Sequence, residues 1–118
     1  MRQKHQKYIP NGIGHFDIAG EDLERLGAFY AAVFGWQAQP QGPGYALLKT
    51  PDGSVQGALV DAEDASFTVG IVVPNLDAAL AAATQSGGQV VMPRTDNGWV
   101  TKGQIADPAG NRVTLIQA

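Results

Sequence analysis

The chain passes twice through the same order of elements. A predicted strand over 13–18 is followed by a helix and three more strands that end near residue 60, and the same order restarts at residue 67. The two halves begin ~54 residues apart, which is long enough for a supersecondary repeat. Because a half of about 50 residues buries too little surface to be stable alone, we expect the halves to pair.

The first half has one amphipathic helix. Glu21 or Asp22 can open it, and Gly35 lies just past its last apolar residue, as a helix stop does. Three further strands are predicted over 36–39, 45–50 and 54–60, with a Pro- and Gly-rich loop at 40–44. The apolar face of the helix consists of Leu23, Leu26, Phe29, Tyr30 and Val33.

The second half repeats this order. A strand over 67–73 precedes Asn75, a good helix N-cap, and Gly87-Gly88 ends an Ala-rich helix. Strands are predicted over 89–92, 99–106 and 112–116. The order predicts an α+β fold of two βαβββ modules, 13–60 and 67–117, in a single domain over 13–118. Helices would cover one face of the mixed sheets, and the other face would be free to curl around a ligand.

Charge and composition limit the kinds of partner that we expect this chain to have. The chain has 8 Lys and Arg against 11 Asp and Glu, and three of the basic residues lie in the polar segment 1–12. We expect that segment to be a solvated tail. A body without a clustered basic face predicts no nucleic-acid partner. No apolar run approaches the ~18 residues of a membrane span. Without Cys there is no disulfide and no thiolate metal site. We expect a soluble, cytoplasmic protein.

Several motifs in order resemble one family. They are His15-Phe16-Asp17-Ile18, Val33-Phe34-Gly35-Trp36, Val73-Pro74-Asn75-Leu76 and Asp107-Pro108-Ala109-Gly110-Asn111. In this order and spacing the chain resembles the vicinal oxygen chelate superfamily, which includes glyoxalase I, bleomycin-resistance proteins and extradiol dioxygenases. It looks most like the small glyoxalase-like branch. The resemblance implies sheets that curl into a cup for metal and substrate, and it implies a homodimer.

The resemblance also places the family's metal ligands. They fall on His15, on Gln56 or Gly57, on Thr68, and on Thr114. Only His15 is a strong ligand, with the amide of Gln56 as a weak second. A catalytic divalent ion usually takes about three protein ligands. We therefore expect no full catalytic site for Zn, Ni, Mn or Fe, with His15 and Gln56 as the ligands if a metal does bind.

Strand alternation places Asp17 on the same face as His15, so these two residues are the candidate catalytic pair. The alternative is a hydrogen-bonded His on a half-buried strand beside a solvated carboxylate. Trp99 could stack on a planar ligand, Tyr45 could donate its hydroxyl, and Arg112 could clamp a carboxylate, or each could serve packing or the surface. The candidate ligand-binding residues are Tyr45, Gln56, Thr68, Trp99, Arg112 and Thr114.

These residues leave several functions open. The first hypothesis is a protein that binds a small aromatic or cationic molecule in the cup without a full metal site, as the resistance proteins do. The second is a metal-dependent lyase, isomerase or dioxygenase with His15 as one ligand. A metal-free enzyme with His15 as base and Asp17 as its orienting partner is also open, as is a non-catalytic dimerisation module. We rank the binding protein first.

Overall fold

The computed structural model describes residues 9–51, 55–98 and 100–118, in two compact units. The first unit is His15–Thr68, and the second joins the described part of Met1–Gly14 to Val69–Ala118. The elements are β1 (Ile13–Gly20), α1 (Leu23–Phe34), β2 (Gln37–Gly42), β3 (Tyr45–Lys49), β4 (Gln56–Asp61), β5 (Ser66–Val73), α2 (Leu76–Gln85), β6 (Gln89–Asp96), β7 (Thr101–Ala106) and β8 (Arg112–Gln117).

The first unit is one βαβββ module. Strand β1 pairs with β4 in parallel, and β3 pairs with both β4 and β2 in antiparallel fashion, which gives the strand order β2-β3-β4-β1. Helix α1 begins after Asp22, whose carboxylate accepts the N–H of Arg25 at 3.2 Å. It ends at Gly35, where a φ of 76° is a left-handed conformation that glycine adopts without steric cost.

The second unit repeats this topology. Strand β5 pairs with β8 in parallel, and β7 pairs with β8 and β6 in antiparallel fashion, in the order β5-β8-β7-β6. Asn75 caps α2 by accepting the N–H of Ala78 at 3.0 Å. The predicted α+β class, with two βαβββ modules and mixed strand pairing, is confirmed.

Strands β2 and β6 extend three and four residues beyond their predicted ends. The expected loop over 40–44 is wrong in its first half because β2 continues to Gly42, and β6 continues to Asp96 rather than stopping at Met92. Each strand contains a proline, Pro40 or Pro93, and lies at the edge of its unit's strand order. An edge strand tolerates a missing N–H, so these prolines do not end the strands.

Each unit has its own apolar core on its helix-covered side. Phe16, Ile18, Ala46, Leu48 and Leu59 are buried in the first unit, where Leu23 and Leu26 of α1 pack against them. In the second unit the buried cluster is Val73, Leu76 and Leu115. Phe16 and Ile18 point toward the helix layer, so strand alternation places His15 and Asp17 on the opposite face of β1.

The predicted tail over 1–12 falls mostly outside the described residues, which begin at Ile9. Asn11 donates its N–H to the carbonyl oxygen of Val72 at 2.8 Å, so the end of that segment is hydrogen-bonded to β5. Among the described residues, neither helix has the length and apolar character needed to cross a membrane.

Candidate functional site

His15 and Asp17 form a side-chain pair on β1. Their neighbours Phe16 and Ile18 face α1, so alternation places the pair on the opposite face of the first unit's strands. The Nε2 atom of His15 lies 3.0 Å from Oδ1 of Asp17. The side chains are 24% and 27% exposed, so the pair is partly shielded but still accessible to a ligand.

This contact fixes the role of each imidazole nitrogen. An ionised carboxylate only accepts hydrogen bonds, so Nε2 carries the proton in the bond to Asp17. In the neutral ring, Nδ1 then holds a lone pair. Nδ1 can therefore accept a hydrogen bond from a ligand while Asp17 holds the ring in its orientation.

Tyr45 adds a third polar group near this pair. It lies opposite Val60 in the pairing of β3 with β4, and Ala19 of β1 is the other partner of Val60. Tyr45 therefore shares the face of Ala19 and Asp17. Its pKa is raised above its ordinary value, first by burial and then by the negative charge of Asp17. The Tyr45 hydroxyl thus stays protonated and can donate a hydrogen bond.

Gln56 is aligned with His15 in the parallel pairing of β4 with β1, and Gly57 is aligned with Phe16. Paired residues on neighbouring strands share a face, so Gln56 lies on the His15 side and Gly57 on the core side. Of the two positions left open by the sequence, Gln56 is the one that shares the face of His15.

In the second unit, Thr114 is 6% exposed on β8. Its Oγ1 accepts a hydrogen bond from Nε2 of Gln104 at 3.3 Å, and Gly70 lies opposite it on β5. Arg112 is exposed and shares the face of Thr114 by strand alternation. The sequence analysis missed Gln104, although alternation along β7 was the signal that could have found it.

The remaining two candidates are not joined to these groups. Thr68 lies in β5 and is half-buried, and no hydrogen bond links it to the His15–Asp17 pair. Trp99 lies outside the described residues, so its predicted stacking role stays a prediction. The structure therefore brings together His15, Asp17, Tyr45 and Gln56 in the first unit.

Comparison with known proteins identifies the family. The model of the glyoxalase-like domain matches residues 15–116, which is most of the chain. The chain belongs to the glyoxalase-like domain family. This family is part of the vicinal oxygen chelate superfamily, so the resemblance seen in the sequence motifs is confirmed.

The relatives of this glyoxalase-like chain agree with that assignment. A protein named "Putative glyoxylase CFP32" from Mycobacterium bovis is 28% identical over 99% of this chain, and the Mycobacterium tuberculosis protein of the same name matches equally. The chain spans about half the length of these curated relatives, with 48% of each covered.

Two solved structures show a similar fold. Methylmalonyl-CoA epimerase from Mycobacterium tuberculosis superposes with a TM-score of 0.67 and 19% identity, over 93% of this chain and 89% of the epimerase. The Mn(II)-bound glyoxalase from Novosphingobium aromaticivorans gives a TM-score of 0.69 and 18% identity, over 92% of this chain and 39% of that one. At these identities the likeness concerns the fold alone.

The donor set of this glyoxalase-like chain does not fit a divalent metal. No cluster of three or more His, Cys, Asp or Glu side chains able to hold an ion occurs within 9–51, 55–98 and 100–118. At the family positions there are one imidazole, one amide and two hydroxyls, and His15 already bonds Asp17 while Thr114 bonds Gln104. Neutral amides and hydroxyls are weak ligands for Mn²⁺ or Zn²⁺.

Proposed function

We propose that this chain binds a small organic molecule on the face of the first unit opposite α1, and that this binding requires no divalent metal. His15, Asp17 and Tyr45 supply the polar contacts. Tyr45 donates a hydrogen bond, Asp17 accepts one at its remaining oxygen, and Nδ1 of His15 accepts another. A negative carboxylate among these groups favours a ligand that carries a donor or a positive charge.

The proposal depends mainly on the 3.0 Å contact between His15 Nε2 and Asp17 Oδ1. In a metal site of this superfamily the imidazole would be one of several strong ligands. Here its partner is a carboxylate two residues away on the same strand, and the neighbouring Gln56 is neutral. This arrangement orients an imidazole for hydrogen bonding and leaves it without the co-ligands that a metal needs.

A second candidate function rests on the same contact. An imidazole held by a carboxylate is the arrangement that general bases use, because the carboxylate selects the tautomer and stabilises the imidazolium. Nδ1 of His15 would then remove a proton from the bound molecule. The curated relatives carry the name "Putative glyoxylase CFP32", which favours this candidate over a purely structural module.

A homodimer remains part of the proposal. Phe29, Val33 and Phe34 on α1 are 56%, 53% and 55% exposed, which is high for large apolar side chains. Burial of this surface against a second copy would account for it. Light scattering should show a dimer for the native protein and a monomer for Phe34→Glu. A monomeric native protein would contradict the proposed homodimer.

The metal requirement is tested first. The native protein and His15→Ala, both without a histidine tag, are dialysed against Mn²⁺, Ni²⁺ or Zn²⁺, and metal per chain is counted by mass spectrometry. We expect far less than one ion per chain, with the same amount in both proteins. Near-stoichiometric metal that is lost in His15→Ala would instead establish a metal-dependent protein.

Ligand binding is tested by thermal shift with a panel of small aromatic amines, catechols and hemithioacetals, with and without EDTA. A ligand at 100 times its Kd adds about 2.7 kcal/mol to the free energy of unfolding. We expect a hit that raises Tm in the native protein, is unaffected by EDTA, and is lost in His15→Ala and weakened in Asp17→Asn. Glu63→Gln removes a charge from an exposed residue and is the control. If no hit is lost in His15→Ala, the proposed site is contradicted.

A further inference from the structure

A second groove lies on the other side of the first unit, between α1 and the β2–β3 hairpin. Its volume is about 590 Å³, within the range typical of small-molecule pockets. Its walls are formed mainly by small side chains, with Ala28 and Ala31 from α1 and Ala38 and Pro40 from β2. The helix and the strand approach closely at Gly27, where a Cβ would lie 3.2 Å from that of Ala38. Small side chains on both elements leave the rest of the space unfilled.

The charged side chains that line this groove are all acidic. Asp22, Glu24 and Asp61 line it, and none of its described lining residues is Lys or Arg. Within the described parts of the chain the ion pairs are His15–Asp17 and Arg94–Asp77, so Glu24 and Asp61 form none. The N-terminus of α1 contributes about half a positive charge, which three carboxylates outweigh. A cation is therefore attracted to the groove.

We propose that this α1–β2 groove binds a small organic cation, an ammonium group on a compact apolar body. The ammonium would lie near Glu24 and Asp61, and the apolar body would cover the alanine walls. Tyr45 also lines this groove, but His15 and Asp17 do not, so the site is distinct from the His15–Asp17 pair and goes beyond the function proposed for that pair. The apolar walls reject a bare metal ion, and the carboxylates reject an organic anion.

Protonated phenethylamine is the probe, with phenethyl alcohol and phenylacetate as neutral and anionic molecules of similar shape. Binding is followed by amide chemical shifts in two-dimensional NMR on the full chain. We expect shifts to concentrate at residues 22–31 and 38–46 for the amine, with weaker binding of the alcohol and none of the acid. Added salt should weaken binding of the amine, because its contacts are with exposed charges.

Two pairs of variants test the walls and the charges separately. Ala31→Leu fills the groove and should weaken binding of the amine at least about tenfold. Ala32→Leu changes an exposed neighbour that does not line the groove, so it should have no effect. Glu24→Gln and Asp61→Asn should each weaken binding about two- to fivefold, as expected for exposed charge pairs. Glu63→Gln removes an equal charge from the exposed segment after β4 and is the control.

Three results would overturn the groove proposal. One is equal binding of amine and alcohol, and another is equal binding to Ala31→Leu and Ala32→Leu. The third is the absence of saturable shifts at millimolar amine. His15→Ala should leave amine binding unchanged, so this test is independent of the function proposed above.

Discussion

At the level of single residues, Gly57 has no room for a side chain beside Phe16. A Cβ built on Gly57 would overlap the ring of Phe16, which is held by Trp36 at 5.7 Å and Phe67 at 5.6 Å between ring centroids. The ring cannot move aside without disturbing these aromatic contacts. Close packing of this kind makes an added methyl group destabilising.

We expect Gly57→Ala to lower the free energy of unfolding by about 1–3 kcal/mol. Gly20→Ala on the neighbouring strand is the matched control, since its Cβ would meet only the end of the flexible Leu26 side chain, at 3.3 Å. Denaturant unfolding of both variants is the measurement. Equal losses in the two variants would contradict this account of Phe16.

Tyr45 reports the electrostatics of the candidate site. Its pKa is raised above 10.0 by burial and by Asp17, so Asp17→Asn should lower the pKa partway toward that value while burial keeps it raised. Phenolate absorbance against pH, with the Tyr45→Phe curve subtracted, isolates this residue. Asp64→Asn, a change of the same kind at an exposed residue, should not move the curve. An unchanged midpoint in Asp17→Asn would show that the charge of Asp17 does not raise the pKa of Tyr45.

The same pKa has a consequence for stability. The native state holds the Tyr45 proton more tightly than the unfolded chain does, so the unfolded chain loses that proton first as the pH rises. The contribution to the free energy of unfolding is complete below about pH 10 and is lost at higher pH. The alkaline decrease should be smaller in Tyr45→Phe, and an identical decrease would count against this linkage.

At the level of elements, α2 is tied to β8 by one side chain. The Oε1 atom of Gln117 accepts the N–H of Leu76 at 2.8 Å, and its Nε2 donates to the carbonyl oxygen of Pro74 at 2.7 Å. The first N–H groups of a helix have no partner within the helix, so Gln117 satisfies one of them from a distant part of the chain. The start of α2 therefore depends on the last strand as well as on Asn75.

Gln117→Ala should lower the free energy of unfolding by about 1–2 kcal/mol, because two hydrogen bonds are lost. Gln85→Ala, at the exposed end of the same helix, should change it by less than about 0.5 kcal/mol. Thermal unfolding followed by circular dichroism compares the two variants. A loss in Gln85→Ala as large as that in Gln117→Ala would mean that this anchor adds nothing specific.

At the level of the whole molecule, the buried apolar clusters found among the described residues are small in both units. The buried apolar cluster of the second unit consists of Val73, Leu76 and Leu115, and that of the first unit has five members. Domains of this size are marginal because too little of their surface is buried on folding. We therefore expect that neither half of the sequence repeat is stable without the other.

The peptides 15–68 and 69–118, made separately, should therefore lack a cooperative thermal transition. The full chain should show one. Circular dichroism against temperature on the three samples is the measurement. A cooperative transition in either peptide would show that a single βαβββ module is sufficient for folding.

Much of this molecule could be predicted from its sequence because the signals are local. Helix caps at Asp22 and Asn75, the stop at Gly35 and the alternation of Phe16 and Ile18 with His15 and Asp17 all depend on residues a few positions apart. The pairing of His15 with Asp17 could be predicted for the same reason, since residues two apart on a strand share a face.

Other features required the tertiary structure because they depend on residues far apart in the chain. The alignment that places Gln56 rather than Gly57 beside His15 and the contact of Gln117 with Leu76 each join residues 41 positions apart, and the groove depends on how α1 packs against β2. Strand register and the distance between a helix and a strand are set by how whole side chains pack, and no local pattern encodes them. Pro40 and Pro93 show the same limit, because a proline ends a strand or continues it according to whether that strand is at an edge.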